Sequence, residues 1–379
     1  MIDPVALASE LIRRPSVTPA DAGAMAVVER ALSRIGFTCR RMAFGGIENL
    51  YARRGGSGPN LCFAGHTDVV PPGDAAAWAR SPFAGEIADG RLHGRGAVDM
   101  KSAIAAFIAA AARAQTADGT LSLLITGDEE GIAEHGAKAV VAQLVADGER
   151  IDHCIVGEPT SAARLGDMIK IGRRGSVGAE IVVRGVQGHV AYPDRAANPA
   201  PVLVRLLARL IDRRLDDGFE GFQPSNLEVT SIDIGNPAAN VIPAEARARL
   251  NIRFNPAHRG ADLLAWIERE AARAGIEFAG DLSVGGRISG EAFLTPPGAF
   301  TALVSEAVTA ITGVSPELST TGGTSDARFI RQLCPVVELG LVGTTMHKVD
   351  ECVDVADIET LARIYERLIG DYVAAPPTS

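Results

Sequence analysis

Apolar and polar positions follow two different rhythms along this chain. Up to about residue 174, short apolar runs at 60–64, 121–126 and 153–156 alternate with stretches of helical period at 102–114 and 135–146. A strand buried on both faces reads as a continuous apolar run, and a helix between two such runs is the usual crossover of a parallel sheet. This segment therefore predicts an α/β domain with a largely parallel sheet. Ahead of it a helix is expected from Pro4, with Asp3 as its cap and Val5, Leu7, Leu11 and Ile12 on one face. A second helix is expected over 22–35, stopped by Gly36.

Beyond residue 174 the period changes. Strands are expected at 179–184, 226–234 and 246–254, several of them alternating, with helices near 201–213 and 261–274. Alternation marks strands with one wet face, so this part reads as an α+β insertion around an antiparallel sheet. After about residue 290 the first rhythm returns and ends in a helix over 358–372. The expected plan is one α/β domain built from 1–174 and 290–379, interrupted by a smaller domain at 175–289.

Composition narrows the picture. A chain of 379 residues exceeds one ordinary core, which supports two domains. With 47% apolar residues but only 5% aromatic, aliphatic side chains must fill both. A formal charge of −9 argues against a phosphate backbone as partner. The five cysteines are odd in number and form no CxxC pair, which fits a reducing compartment rather than a disulfide framework. Neither a basic-then-apolar start nor a run of eighteen apolar residues is present, so the cytoplasm is the expected location, with no membrane partner.

The chemistry sits where the apolar runs end. His66 and Asp68 follow the first run, Asp128, Glu129 and Glu130 the second, and Glu158 the third. Ligands of open α/β sheets bind at the carboxyl ends of the strands, so three strands would deliver histidine and carboxylates to one edge. Asp99 lies in a glycine-rich loop just before the 102–114 helix. Histidine with several carboxylates suits zinc, and two adjacent metals need a shared carboxylate. Singly, each residue has a plainer reading: Asp99 as a helix cap, Glu129-Glu130 as a solvated loop, Glu158 as a turn residue. Their coincidence at strand ends is what favours a metal site.

Gly65-His66-Thr67-Asp68-Val69-Val70-Pro71, Gly94-Arg95-Gly96-Ala97-Val98-Asp99-Met100-Lys101, Thr126-Gly127-Asp128-Glu129-Glu130-Gly131 and Gly157-Glu158-Pro159-Thr160 resemble the signatures of the M20 metallopeptidase family. The resemblance runs from Ser16-Val17-Thr18-Pro19 to Met346-His347-Lys348-Val349. It implies a zinc-exopeptidase-like α/β catalytic domain with an inserted α+β dimerisation (lid) domain, and amide hydrolysis with two zinc ions per subunit, which cobalt could replace. It implies Asp99 as the bridging ligand, preceding a cis peptide bond. His66 and Glu158 would complete one site, and Glu130 and His347 the other. Glu129 would be the general base, and Asp68 would orient His66. His189 would reach across a homodimer to steady the tetrahedral oxyanion. The plainer reading of His189 is a loop residue.

Within the family, Met168–Ser176, Asn240–Glu245 and Gly322–Phe329 resemble members that act on succinylated diaminopimelate, on the route to lysine and the diaminopimelate of cell wall. Such a small-molecule substrate carries several carboxylates. Arg173 and Arg253 would grip them through paired donors, with Ser176, Asn240, Gly323 and Thr324 as further polar contacts. Alone, Arg173 and Arg174 would read as a solvated charge pair. The chain departs from the family at Ala239, Ala327 and Gly343, where asparagine, glycine and asparagine are common, which bears on substrate choice rather than on the metal ligands. An acetylornithine deacetylase or a dipeptidase on the same metal core stays open. A binding protein that kept the fold without the chemistry is a further alternative, disfavoured because every expected ligand and the base are present.

Overall fold

The computed structural model describes residues 2–56, 58–114 and 119–377. It divides into two units. Met1–Ile171, Thr295–Ser319 and Ser325–Ser379 form the first; Gly172–Leu294 and Thr320–Thr324 form the second.

In the first unit, Asp3 accepts hydrogen bonds from the amides of Val5 and Ala6 and so opens the helix Pro4–Ile12. Eight strands make one sheet, in the order Thr38–Phe44, Ile47–Arg54, Thr120–Thr126, Asn60–His66, His153–Val156, Val336–Glu338, Met168–Lys170 and Glu317–Ser319. Its centre is parallel: Asn60–His66 runs alongside Thr120–Thr126 and His153–Val156, and His153–Val156 alongside Val336–Glu338. The hairpin Thr38–Phe44/Ile47–Arg54 at one edge is antiparallel and was not foreseen from the pattern. Its outer strand exposes Thr38, Arg40 and Ala43 and buries only Met42, so it carries no continuous apolar run.

The helix Lys101–Arg113 is buried from Lys101 through Ala111 and packs against Pro4–Ile12 and Val355–Ala374. Its many alanines make so complete a burial sterically easy. Phe107 stacks on Phe63 at 4.4 Å between centroids, and Tyr365 meets both edge-on at 5.6 Å. Each such fully buried ring stabilises the fold by about 1.5–3 kcal/mol relative to exposure. The Tyr365 hydroxyl donates to Leu339 O at 2.6 Å, so its polar tip is satisfied.

In the second unit, four antiparallel strands lie in the order Asn226–Asp233, Glu245–Phe254, Gly175–Arg184 and Asp281–Gly290. Alternation along Glu245–Phe254 sends Ala246, Ala248, Leu250, Ile252 and Phe254 into a core shared with Leu203, Leu206 and Leu210 of Pro199–Ile211 and with Leu263, Trp266 and Ile267 of Gly260–Gly275. Arg247, Arg249, Asn251 and Arg253 fall on the opposite face of that strand. The edge strand Asp281–Gly290 was not foreseen; it is mostly exposed and carries Gly285 and Gly286. Among the described residues no helix is long and apolar enough to cross a membrane.

Candidate metal centre

Register brings the strand ends together. His66 pairs with Thr126, and Ala64 with Val156, so His66, Glu129, Glu130 and Glu158 all leave the same edge of the sheet. Gly157 makes room there: a Cβ on it would lie 2.5 Å from Phe63 Cζ and 2.8 Å from Met100 Cε. Met100 follows Asp99 across a cis peptide bond at the head of the Lys101–Arg113 helix.

Asp99 faces two histidines with its two oxygens. Oδ1 is 3.1 Å from His66 Nε2, and Oδ2 is 3.3 Å from His347 Nε2. His347 Nε2 is also 2.7 Å from Glu130 Oε1. Glu158 Oε1 lies 3.7 Å from His66 Nε2 and is buried with no hydrogen-bond partner. Donor atoms of His66, Asp99 and Glu130 lie within 4.8 Å of one another, as do those of His66, Glu129 and Glu158.

Asp68 sits beneath this cluster. His66 Nδ1 is 2.9 Å from the Asp68 backbone carbonyl and 3.6 Å from its carboxylate. A carbonyl only accepts, so Nδ1 carries a proton and Nε2 is the nitrogen turned toward Asp99 and Glu158, the one a cation would take. The contact by which Asp68 can orient His66 is thus made by its carbonyl. The carboxylate instead accepts the amides of Glu129 at 3.2 Å and Glu130 at 3.0 Å, fixing the acidic pair.

The electrostatics call for positive charge. Burial pushes the carboxyls of Glu129 and Glu158 well above the usual range, and neighbouring carboxylates add to it. Burial likewise raises Asp68 to about 6. Burial opposes charge on Asp99 as well, but hydrogen bonds from His347 and His66 outweigh it and hold that carboxyl below the usual range. Hydrogen bonds to Asp99 and Glu130 push His347 up to about 10. Four carboxylates around two imidazoles, with one buried carboxylate oxygen unpartnered, make a donor set that cations complete. The residues fit a dinuclear metal site.

The other expected residues belong to the second unit. Arg173 is buried and donates from Nη1 to Thr321 O at 2.9 Å. Gly322 has φ +105°, and a Cβ there would lie 2.2 Å from Arg173 Nη1, so only glycine allows this approach. Ser176 is buried, accepts from Asn251 Nδ2 at 3.2 Å and pairs in register with half-buried Arg253. Gly323 is exposed and Thr324 half-buried. His189 and Asn240 are both exposed, and the short ladder pairing His189 with Val241 makes them neighbours. Two buried residues of the first unit escaped the sequence reading: Arg95 and Glu351, joined at 2.5 Å. Their only signal is proximity to expected ligands, Arg95 four residues before Asp99 and Glu351 four after His347.

Residues 62–371 match the model of peptidase family M20/M25/M40. The succinyl-diaminopimelate desuccinylase of Caulobacter sp. (strain K31) is 68% identical over 375 residues, covering 99% of this chain and 97% of that protein. The enzyme of the same description from Phenylobacterium zucineum (strain HLK1) is 66% identical over 376 residues, covering 98% and 99%. Among solved structures, an M20 family metallo-carboxypeptidase from Sulfolobus solfataricus superposes with TM-score 0.83 at 17% identity, covering 99% of this chain and 100% of that one. Human carnosine dipeptidase 1 gives 0.76 at 18%, covering 98% and 96%. At such identities these two bear on the fold alone.

Proposed function

The chain belongs to peptidase family M20/M25/M40, and on that premise we propose that it hydrolyses N-succinyl-LL-2,6-diaminopimelate to succinate and LL-2,6-diaminopimelate, a step of lysine and diaminopimelate biosynthesis in the cytoplasm. The near full-length likeness to the Caulobacter and Phenylobacterium enzymes supports the substrate. The observation that carries the chemistry is Asp99, whose two carboxylate oxygens each face a different histidine.

His66, Asp99 and Glu158 would hold one zinc ion, and Asp99, Glu130 and His347 the other. Zinc bound there supplies a Lewis acid that polarises the scissile carbonyl and lowers the pKa of water, and cobalt in the same donors would do likewise. Glu129 takes a proton from the attacking water and returns it to the nitrogen that leaves as the C–N bond breaks. Its buried, acid-crowded position raises its affinity for a proton, as suits a general base. Asp68 keeps Glu129 in place through its amide and fixes the His66 tautomer through its own carbonyl. Arg173 and Arg253 bind substrate carboxylates, with Ser176, Asn240, Gly323 and Thr324 as polar contacts. His189 serves the partner subunit's reaction in a homodimer, stabilising the oxyanion.

The test compares hydrolysis of N-succinyl-LL-2,6-diaminopimelate with that of N-acetylornithine after chelation, with and without added zinc. Zinc-restored cleavage of the succinyl substrate, and not the acetyl one, is expected. Cleavage only of N-acetylornithine would overturn the substrate and keep the metal chemistry; activity indifferent to chelation would overturn the metal chemistry.

A further inference from the structure

Arg95 and Glu351 form an ion pair with 3% and 0% of their side chains exposed. Glu351 Oε1 accepts the amide of Val98 at 2.8 Å and that of Asp99 at 3.3 Å, while Oε2 accepts from Arg95 Nη1 at 2.5 Å. Arg95 Nη2 in turn donates to the backbone carbonyl of His347 at 3.4 Å. The Glu351 carbonyl closes the circuit by accepting the amide of Gly94 at 2.9 Å. The guanidinium lies 5.3 Å from the Trp78 ring centroid, and the indole is itself pinned to Pro72 O at 3.0 Å. Two loops more than 240 residues apart in sequence are thus stitched together by one pair.

The stitches fall on the backbones of Asp99 and His347, whose side chains meet at 3.3 Å. His347 has φ +61°, a left-handed backbone costly for a residue with a Cβ, and its carbonyl is the one Arg95 holds. Stability alone does not account for the pair. Replacing a buried ion pair by apolar side chains of similar volume is often neutral or stabilising. What apolar side chains cannot do is accept two buried amides and hold a carbonyl. Resting on the dinuclear reading above, we infer that Glu351 with Arg95 is a positioning pair that sets the spacing of Asp99 and His347, and so the affinity of the metal pocket they form with Glu130.

Metal-free protein is titrated with zinc against a chromophoric chelator, alongside its melting temperature and the kcat and KM of the loaded enzyme. Wild type is expected to take two equivalents. Glu351→Gln keeps one acceptor but turns a donor toward Arg95; it should weaken the equivalent that His347 holds by about 10–100-fold, weaken the other less because the two share Asp99, and lower kcat with little change in KM. The double variant Arg95→Met with Glu351→Met removes both buried charges. It should recover melting temperature lost in Glu351→Gln, yet keep the weak equivalent. Wild-type affinity for both equivalents in these variants would overturn the inference, as would affinity returning together with melting temperature, the mark of a merely structural role. Should Glu351→Gln fail to fold, Arg95→Lys keeps the charge without the paired donors and should show an intermediate loss; wild-type affinity there overturns the inference equally. Fewer than two equivalents in wild type would instead sink the dinuclear reading beneath it.

Discussion

At the scale of single residues, Glu129 concentrates the chemistry. Glu129→Gln keeps the size and the amide hydrogen bond to Asp68 but removes the proton acceptor. We expect kcat to fall by about 10²–10⁴-fold, the usual worth of a general base, with two zinc equivalents still bound. Loss of one equivalent would recast Glu129 as a ligand, since its donor atom groups with those of His66 and Glu158. His66, Glu129, Glu130 and Glu158 were legible in the sequence because buried strands announce themselves as apolar runs, and parallel strands all present their carboxyl ends to one side, whereas His347 was marked only by the family resemblance. The Arg95–Glu351 pair was not: a charged side chain in a loop reads the same whether it is solvated or wholly buried. Nor could the pattern tell that Asp68 uses its carbonyl toward His66 and its carboxylate toward two amides, because that depends on local backbone direction.

At the scale of elements, the loop leading from Pro199–Ile211 to Asn226–Asp233 is closed by one carboxylate. Asp216 accepts from the amides of Gly218 and Ser225, from Asn255 Nδ2 at 2.8 Å and from His258 Nε2 at 2.8 Å. Burial raises its pKa, but the hydrogen bonds from Ser225, Gly218 and Asn255 outweigh that and hold it well below the usual carboxylate range. A carboxyl depressed in the folded state stabilises fully above its unfolded pKa, about 3.9, and that stabilisation is lost as pH falls below it toward the depressed value. Asp216→Asn should therefore cost roughly 1.5–3 kcal/mol at pH 7 in denaturant unfolding, and the gap from wild type should narrow as pH falls below about 4. A gap constant with pH would mean that Asp216 acts by shape rather than charge. Long buried helices and strands were legible from period alone. The edge strands Thr38–Phe44 and Asp281–Gly290 were not, since exposure and glycine erase the apolar signal that neighbours supply elsewhere.

At the scale of the molecule, two units each carry their own core, and the change of apolar rhythm near residue 174 shows in the sequence before any contact is known. The return is harder to read, because Thr320–Thr324 pack with the second unit through Thr320 on Gly221 and Thr321 on Arg173, contacts that no local pattern encodes. If His189 serves the partner's site, subunits should complement. Neither Glu129→Gln nor His189→Ala should hydrolyse the succinyl substrate well alone. Refolded together they should regain activity, because a mixed dimer joins an intact Glu129 of one chain to an intact His189 of the other. No regain, with mixed dimers verified by mass, would return His189 to its own subunit. The order of the ligands along the chain also has a consequence for birth. His66, Asp99, Glu130 and Glu158 leave the ribosome early, whereas His347 and Glu351 come after the whole inserted unit. At ordinary elongation speeds that separation lasts roughly 10–40 s. Throughout that interval the nascent acidic cluster has neither its last histidine nor its brace, so a complete metal centre belongs to the nearly finished polypeptide.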